Sequence, residues 1–103
     1  MNKLKINNYE ISKENSPFII AEAGINHNGN VERAIEMVRA AKNADVTAIK
    51  FQTFKAHEFI SDSSLTYTYT SQGKSITEPQ LDLFKRCELS HDEFYKIKKT
   101  CDD

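Results

Sequence analysis

Cysteine is scarce in this chain, with only Cys87 and Cys101 among 103 residues. Two thiols cannot build a disulfide framework, and with no CxxC or paired His/Cys cluster a structural zinc site is not expected. Both are read as reduced, serving as packing residues or inert surface thiols. Long apolar runs are missing too: none approaches the ~20 residues needed to cross a bilayer. The N-terminal MNKLKINNYEIS carries charge but no apolar h-region, so no secretory signal is read and the cytoplasm is the expected location. Nor does one sign of charge dominate. Lys plus Arg number 14 and Asp plus Glu 15, for a net charge of -1, which argues against a nucleic-acid binder and against a polybasic membrane anchor. Glycine (3) and proline (2) are few and 39% of residues are hydrophobic, which fits a folded, helix-rich chain rather than a disordered one. The length allows one small domain.

Read in order, residues 3 to 11 suggest a hairpin. Leu4 and Ile6 are followed by Asn7-Asn8 and then Tyr9 and Ile11, and Asn tolerates the left-handed backbone of a tight turn. Ser12 to Pro17 is a polar linker. Phe18 to Ala21 is a short apolar run of the kind found in parallel strands buried on both faces. After Glu22 comes the loop AGINHNGN. Asn30 then suits a helix N-cap, and Val31, Ala34, Ile35, Val38 and Ala41 recur at helical spacing up to about Asn43 or Ala44. Ala48 to Gln52 is a second strand. Thr53 to Ile76 reads as a long polar loop, a feature usually functional or mobile. Thr77 to Gln80 has capping-box spacing before a short helix over Leu81 to Arg86. Ser90 to Glu93 is a second capping box, opening a helix that runs to about Cys101. Strand, helix, strand, helix is the order of a parallel βαβ unit with a right-handed crossover. Two parallel strands and a few helices bury little surface, so the chain is expected to be a piece of a larger α/β fold.

Side chains alternate along a strand. Ile49 and Phe51 share one face, suited to helices, while Ala48, Lys50 and Gln52 share the other and are expected to look into an interior. Glu22 ends the neighbouring strand, so Glu22, Lys50 and Gln52 fall at the carboxyl ends of parallel strands about 4.8 Å apart, where α/β enzymes assemble their sites. A buried carboxylate and ammonium there would perturb each other's pKa. The trio reads either as an active-site floor or as a structural ion pair. The loop Ala23 to Asn30 leads into a helix N-terminus, which attracts anions, but it lacks GxGxxG and the P-loop Lys-Ser/Thr. His27 within it is a polar wall residue, a ligand or a loop hydrogen-bonder. His57 and His91 read as solvated. Tyr67 and Tyr69 would either cover a substrate or stand as ordinary exposed tyrosines.

The strings FIIAEAGINHNGN and AIKFQTFKA, at this separation, and LFKRCELSHDEF further on, resemble the N-acetylneuraminate (sialic acid) synthase family from Pro17 to Asp103. The resemblance implies an α/β fold made of the first two βα units of a (β/α)₈ TIM barrel, with residues 1–16 as a hairpin and linker and residues 17–103 as the partial barrel. It implies a full-length homodimer with a small antifreeze-like domain. It also implies condensation of phosphoenolpyruvate with an N-acylated amino sugar such as N-acetylmannosamine. Carbon 3 of phosphoenolpyruvate attacks the open-chain aldehyde, water adds at carbon 2, and phosphate leaves by C–O cleavage. A divalent metal, Mn2+ or Mg2+, is required in such enzymes and would polarise the aldehyde oxygen.

By the same resemblance Glu22 and Lys50 are the catalytic candidates. Glu22 would orient the sugar or hold the attacking water, and the Lys50 charge suits the phosphoenolpyruvate anion. Gln52, able to donate and accept, suits sugar hydroxyls, and Asn26 and His27 are further substrate-binding candidates. The metal ligands of such enzymes come from later strands, so no metal ligand is assigned in this chain. Leu65 to Ile76 has no asparagine where some members place one for the sugar, which leaves the acceptor open among N-acetylmannosamine, its 6-phosphate and bacillosamine-type sugars. On this reading residues 1–103 are a segment of the enzyme, inactive alone. The alternatives are a non-catalytic module that docks through an open sheet edge, or a different phosphoenolpyruvate-condensing barrel enzyme.

Overall fold

The computed structural model describes residues 3–103. Strands β1 (Leu4–Ile6) and β2 (Tyr9–Ile11) pair antiparallel across Asn7-Asn8, with Asn7 at φ 54. Tyr9 then packs edge-on against Phe18, ring centroids 5.3 Å apart, and its hydroxyl donates to the Ser16 carbonyl. This folds the polar linker back onto the pair.

Strands β3 (Ile20–Gly24) and β4 (Ala48–Phe51) run parallel, joined by helix α1 (Val31–Asn43). The entry to β3 is held by Thr47, whose hydroxyl accepts from the Ile19 N–H at 3.0 Å. Asn30 caps α1, its side chain accepting from the Arg33 N–H. The far end of α1 closes as a Schellman motif: Val46 N–H reaches the Ala41 carbonyl and Asp45 N–H reaches that of Lys42. Asp45 takes the left-handed conformation there, φ 61, where glycine is more usual.

One face of the parallel pair carries the core. Ala34, Ile35 and Val38 of α1 meet Ile97 of helix α4 (His91–Asp102) and Leu89, and Ile49, Phe51, Val31 and Phe94 pack around them. The Ser90–Glu93 capping box is formed in both directions and fixes where α4 begins. The opposite face is bare among the described residues. The expected burial of the first strand on both faces is therefore not found: Ile19 and Ile20 are exposed. Among the described residues one layer of helices covers the two strands, and an apolar run alone cannot say how many layers flank it.

The stretch Thr53–Ile76 is not the loop its polarity suggests. It holds a short helix α2 (Ala56–Phe59) and a β-hairpin of β5 (Thr66–Ser71) and β6 (Lys74–Pro79). Gln72 and Gly73, at φ 51 and 79, make the two-residue turn. Thr77 is consequently a strand residue rather than a helix cap. Helix α3 (Gln80–Cys87) starts after Pro79 with no side-chain cap, because β6 runs directly into it. Phe54, Phe59 and Phe84 cluster with centroids 5.0–5.9 Å apart and join α2 to α3. The Ala56 N–H at the start of α2 donates to Glu88 Oε1 at 2.7 Å. Cys87 is buried and Cys101 exposed, both free; burial pushes the Cys87 thiol up. No helix of the described residues is long and apolar enough to cross a membrane.

Candidate functional site

Glu22 and Lys50 are register partners across β3 and β4. Their side chains stand on the bare face, with Glu22 Oε2 3.5 Å from Lys50 Nζ. The strand register slips by one residue just beyond, between Glu22 and Gly24. Such a bulge re-aims the end of a strand. Here it sets Gly24, at φ 56, under two polar groups: a methyl at Gly24 would meet Glu22 Oε1 at 3.3 Å and Gln52 Nε2 at 3.6 Å. Glycine thus leaves room for Glu22 and Gln52 to converge over the strand ends, with Lys50 beside them. The sequence offered a signal for this, a glycine two residues after the strand carboxylate, but strand alternation alone does not register it.

The three side chains are together but not buried. The Lys50 side chain is 66% exposed and that of Glu22 51%. The expected interior setting is absent among the described residues because nothing packs on that face. An ion pair this open contributes little to the stability of the described residues. Chemically the trio offers an anion, a cation suited to phosphate or carboxylate, and a neutral donor–acceptor.

His27 sits elsewhere. It is fully buried and leans on Phe51, ring centroids 6.1 Å apart, so it lies on the helix side of β4, opposite Lys50. Its placement as a wall of the substrate site is not seen here; the turn draws it inward. Asn28 and Gly29 both have positive φ (56 and 76) and the Asn30 N–H returns to the His27 carbonyl at 3.0 Å, a type I′ arrangement. His27 Nδ1 accepts from the Gly29 N–H at 3.0 Å. That fixes the neutral Nε2–H tautomer, and among the described residues Nε2 has no partner. Burial lowers its pKa, against a smaller upward pull from Glu93. Of the three readings open for His27, hydrogen bonding within its own loop is the one the geometry realises. Asn26 stays exposed in the same loop, and His57 and His91 are exposed as expected.

Gly29 carries a requirement that sequence reading did not single out. A Cβ there would lie 1.9 Å from the Arg86 carbonyl oxygen, so the end of α3 rests directly on the loop backbone. A second polar cluster ties the hairpin to α3. Glu78 accepts from Tyr69 Oη at 2.9 Å and from Arg86 Nη1 at 2.7 Å. The Arg86 bond holds the Glu78 carboxyl below its ordinary range, and the Glu78 bond raises the Tyr69 phenol. Among the described residues no three His, Cys, Asp or Glu side chains converge as a metal site would require.

Residues 37–103 match the model of the NeuB family. An uncharacterized protein of Methanocaldococcus jannaschii is 39% identical over 99 residues, covering 96% of this chain and 25% of its own length. An N,N'-diacetyllegionaminic acid synthase of Legionella pneumophila is 39% identical over 82 residues, covering 80% of this chain and 23% of its own. The crystal structure of N-acetylneuraminic acid (sialic acid) synthetase from Leptospira borgpetersenii superposes with TM-score 0.79 at 29% identity, over 98% of this chain and 30% of that one. The mixed α/β arrangement is therefore shared with a sialic acid synthase. The chain spans about a quarter of the length of these curated relatives.

Proposed function

Because this chain belongs to the NeuB family, we propose that it forms one wall of a synthase that condenses phosphoenolpyruvate with an N-acylated amino-sugar aldehyde to give a nonulosonic acid. Residues 17–103 would then be the first two βα units of a TIM barrel, preceded by the β1–β2 pair. The observation that carries the reading is the convergence of Glu22, Lys50 and Gln52 at the carboxyl ends of parallel strands, the end at which such barrels do chemistry.

In the proposed reaction carbon 3 of phosphoenolpyruvate bonds to the aldehyde carbon and the aldehyde oxygen takes a proton. Water adds at carbon 2, and the carbon 2–oxygen bond to phosphate breaks, releasing inorganic phosphate and leaving a 2-keto acid. Lys50 binds the phosphoenolpyruvate anion. Glu22, 3.5 Å from the ammonium, holds Lys50 in place and accepts a proton or hydrogen bond from the attacking water or a sugar hydroxyl. Gln52 orients the sugar. His27 acts on none of these groups; it stiffens the loop after β3. In this reading the divalent metal would be held by residues of later strands and would polarise the aldehyde oxygen. A single wall cannot enclose this reaction, and residues 1–103 alone are expected to release no phosphate from phosphoenolpyruvate.

The test is a graft in which these residues replace the matching segment of the Legionella synthase. The reading expects metal-supplemented turnover of phosphoenolpyruvate and an amino sugar, lost in Glu22→Gln. A graft that folds but never turns over would instead favour a non-catalytic docking module.

A further inference from the structure

The loops that follow β3 and β4 both rest on one short segment, Arg86–Leu89, at the end of α3 and just before α4. Its backbone meets the first loop: the Arg86 carbonyl lies against Gly29, where a Cβ would come within 1.9 Å of the oxygen. A side chain meets the second. Gln52–Lys55 has no regular structure between β4 and α2, and Lys55, at the N-cap of α2, makes no side-chain cap bond. Glu88 fills that role from 32 residues beyond Ala56: its Oε1 accepts from the Ala56 N–H at 2.7 Å, the length of a charge-assisted bond. Ala56 is fully buried, so without the carboxylate its N–H has no water to turn to, and only a shift of the turn relieves it.

Glu88 is a fixed post. Its neighbours Cys87 and Leu89 are both buried, and Leu89 belongs to the core that joins α1 and α4. The Ser90–Glu93 capping box follows at once. The segment cannot shift without disturbing close-packed neighbours. The turn it holds is short. At one end Phe51 is register-paired with Gly24, and Gln52 is the first residue past that pair. In the middle Phe54 enters the aromatic cluster with Phe59 and Phe84. At the far end stands the bond to Glu88. Past the strand, that bond is the directional restraint, so it sets the orientation of the turn as well as its place. Lys50 differs. It lies within β4 opposite Glu22, and strand pairing fixes its backbone independently of Glu88.

We infer that Glu88 is a positioning residue for Gln52: by holding the Ala56 N–H it sets the turn from which Gln52 meets the sugar, and it touches no substrate itself. The inference rests on the catalytic reading above. It carries an asymmetry, since handling of the amino sugar depends on Glu88 and binding of the phosphoenolpyruvate anion by Lys50 does not.

Kinetics of the Legionella graft and amide exchange of the 103-residue chain test it together. Glu88→Ala leaves the Ala56 N–H without its acceptor. It is expected to raise KM for the amino sugar roughly 3- to 10-fold, the worth of one neutral hydrogen bond, and to leave KM for phosphoenolpyruvate where it was. Glu88→Gln keeps an acceptor oxygen at the same reach and is expected to recover most of the loss. A merely structural role would lower kcat through lost folded enzyme and move neither KM. In the unsubstituted chain the Ala56 amide is expected to exchange slowly, a measurement that needs no variant to fold. Fast exchange of Ala56, an amino-sugar KM untouched by Glu88→Ala, both KM values rising together, or Glu88→Gln no better than Glu88→Ala would overturn the positioning role. A graft that fails to turn over before any substitution counts against the catalytic reading instead, and Ala56 exchange in the chain and in Glu88→Ala then decides whether Glu88 holds the turn.

Discussion

Replacing Gly29 by alanine, beside the same change at Gly73, separates two costs that usually come mixed. Both glycines have positive φ, 76 and 79. At Gly73 a Cβ would meet nothing within 4 Å, so Gly73→Ala bears only the left-handed backbone cost, about 1–2 kcal/mol. At Gly29 the same Cβ would lie 1.9 Å from the Arg86 oxygen and 3.0 Å from its carbon. The obstacle is backbone, at the last turn of α3, and cannot rotate aside. Relieving it moves the end of α3 by about 1 Å in a close-packed interior, adding the ~1–3 kcal/mol of overpacking. Gly29→Ala should therefore cost about 2–5 kcal/mol in all, and Gly73→Ala no more than about 2. Urea denaturation of the two variants with an unchanged m-value measures the difference directly. Equal losses would mean that α3 does not rest on the loop, and the described packing of the NHNG turn would be wrong.

Other consequences are as direct. His27 is neutral and buried with its pKa lowered, so the unfolded chain takes up a proton more readily than the folded one. Stability should be intact above pH 6.5 and decline as pH falls from there toward the depressed folded value. His27→Asn, which can still offer an acceptor to the Gly29 N–H, should flatten this part of the pH–stability curve. Ser90→Ala removes half of the α4 capping box and should cost about 0.5–2 kcal/mol by denaturant titration. Glu78→Gln should return the Tyr69 phenol toward its ordinary pKa, since hydrogen bonding to Glu78 is the largest cause of its rise; NMR titration of the tyrosine ring reads this.

What the sequence disclosed followed the strength of each local signal. The α1 cap at Asn30, the Ser90–Glu93 box, the faces of Ile49–Phe51 and Lys50–Gln52, and the meeting of Glu22 with Lys50 all rest on short-range rules of spacing. The hairpin is masked by composition: Thr, Ser and Tyr in Thr66–Ile76 read as polar loop, whereas alternating Tyr and β-branched Thr before Gln72-Gly73 is a strand-and-turn signal. Thr77 to Gln80 matched a capping box by spacing alone, and the strand running into Pro79 overrode it. The inward turn of His27, the bulge at Gly24 and the carbonyl against Gly29 come from tertiary contact. Periodicity carries no information about them.

Lys50→Met in the graft, assayed for kcat/KM toward phosphoenolpyruvate, bears most directly on the claim that the Glu22–Lys50–Gln52 cluster is a working surface. Lys50 is largely exposed, so the 103-residue chain should keep its stability within about 0.5 kcal/mol. If Lys50 binds the phosphoenolpyruvate anion, losing a charge-assisted hydrogen bond should lower kcat/KM by roughly 10- to 150-fold. Unchanged kcat/KM, or a loss matched by unfolding of the chain, would contradict the account and leave the pair as a surface salt bridge.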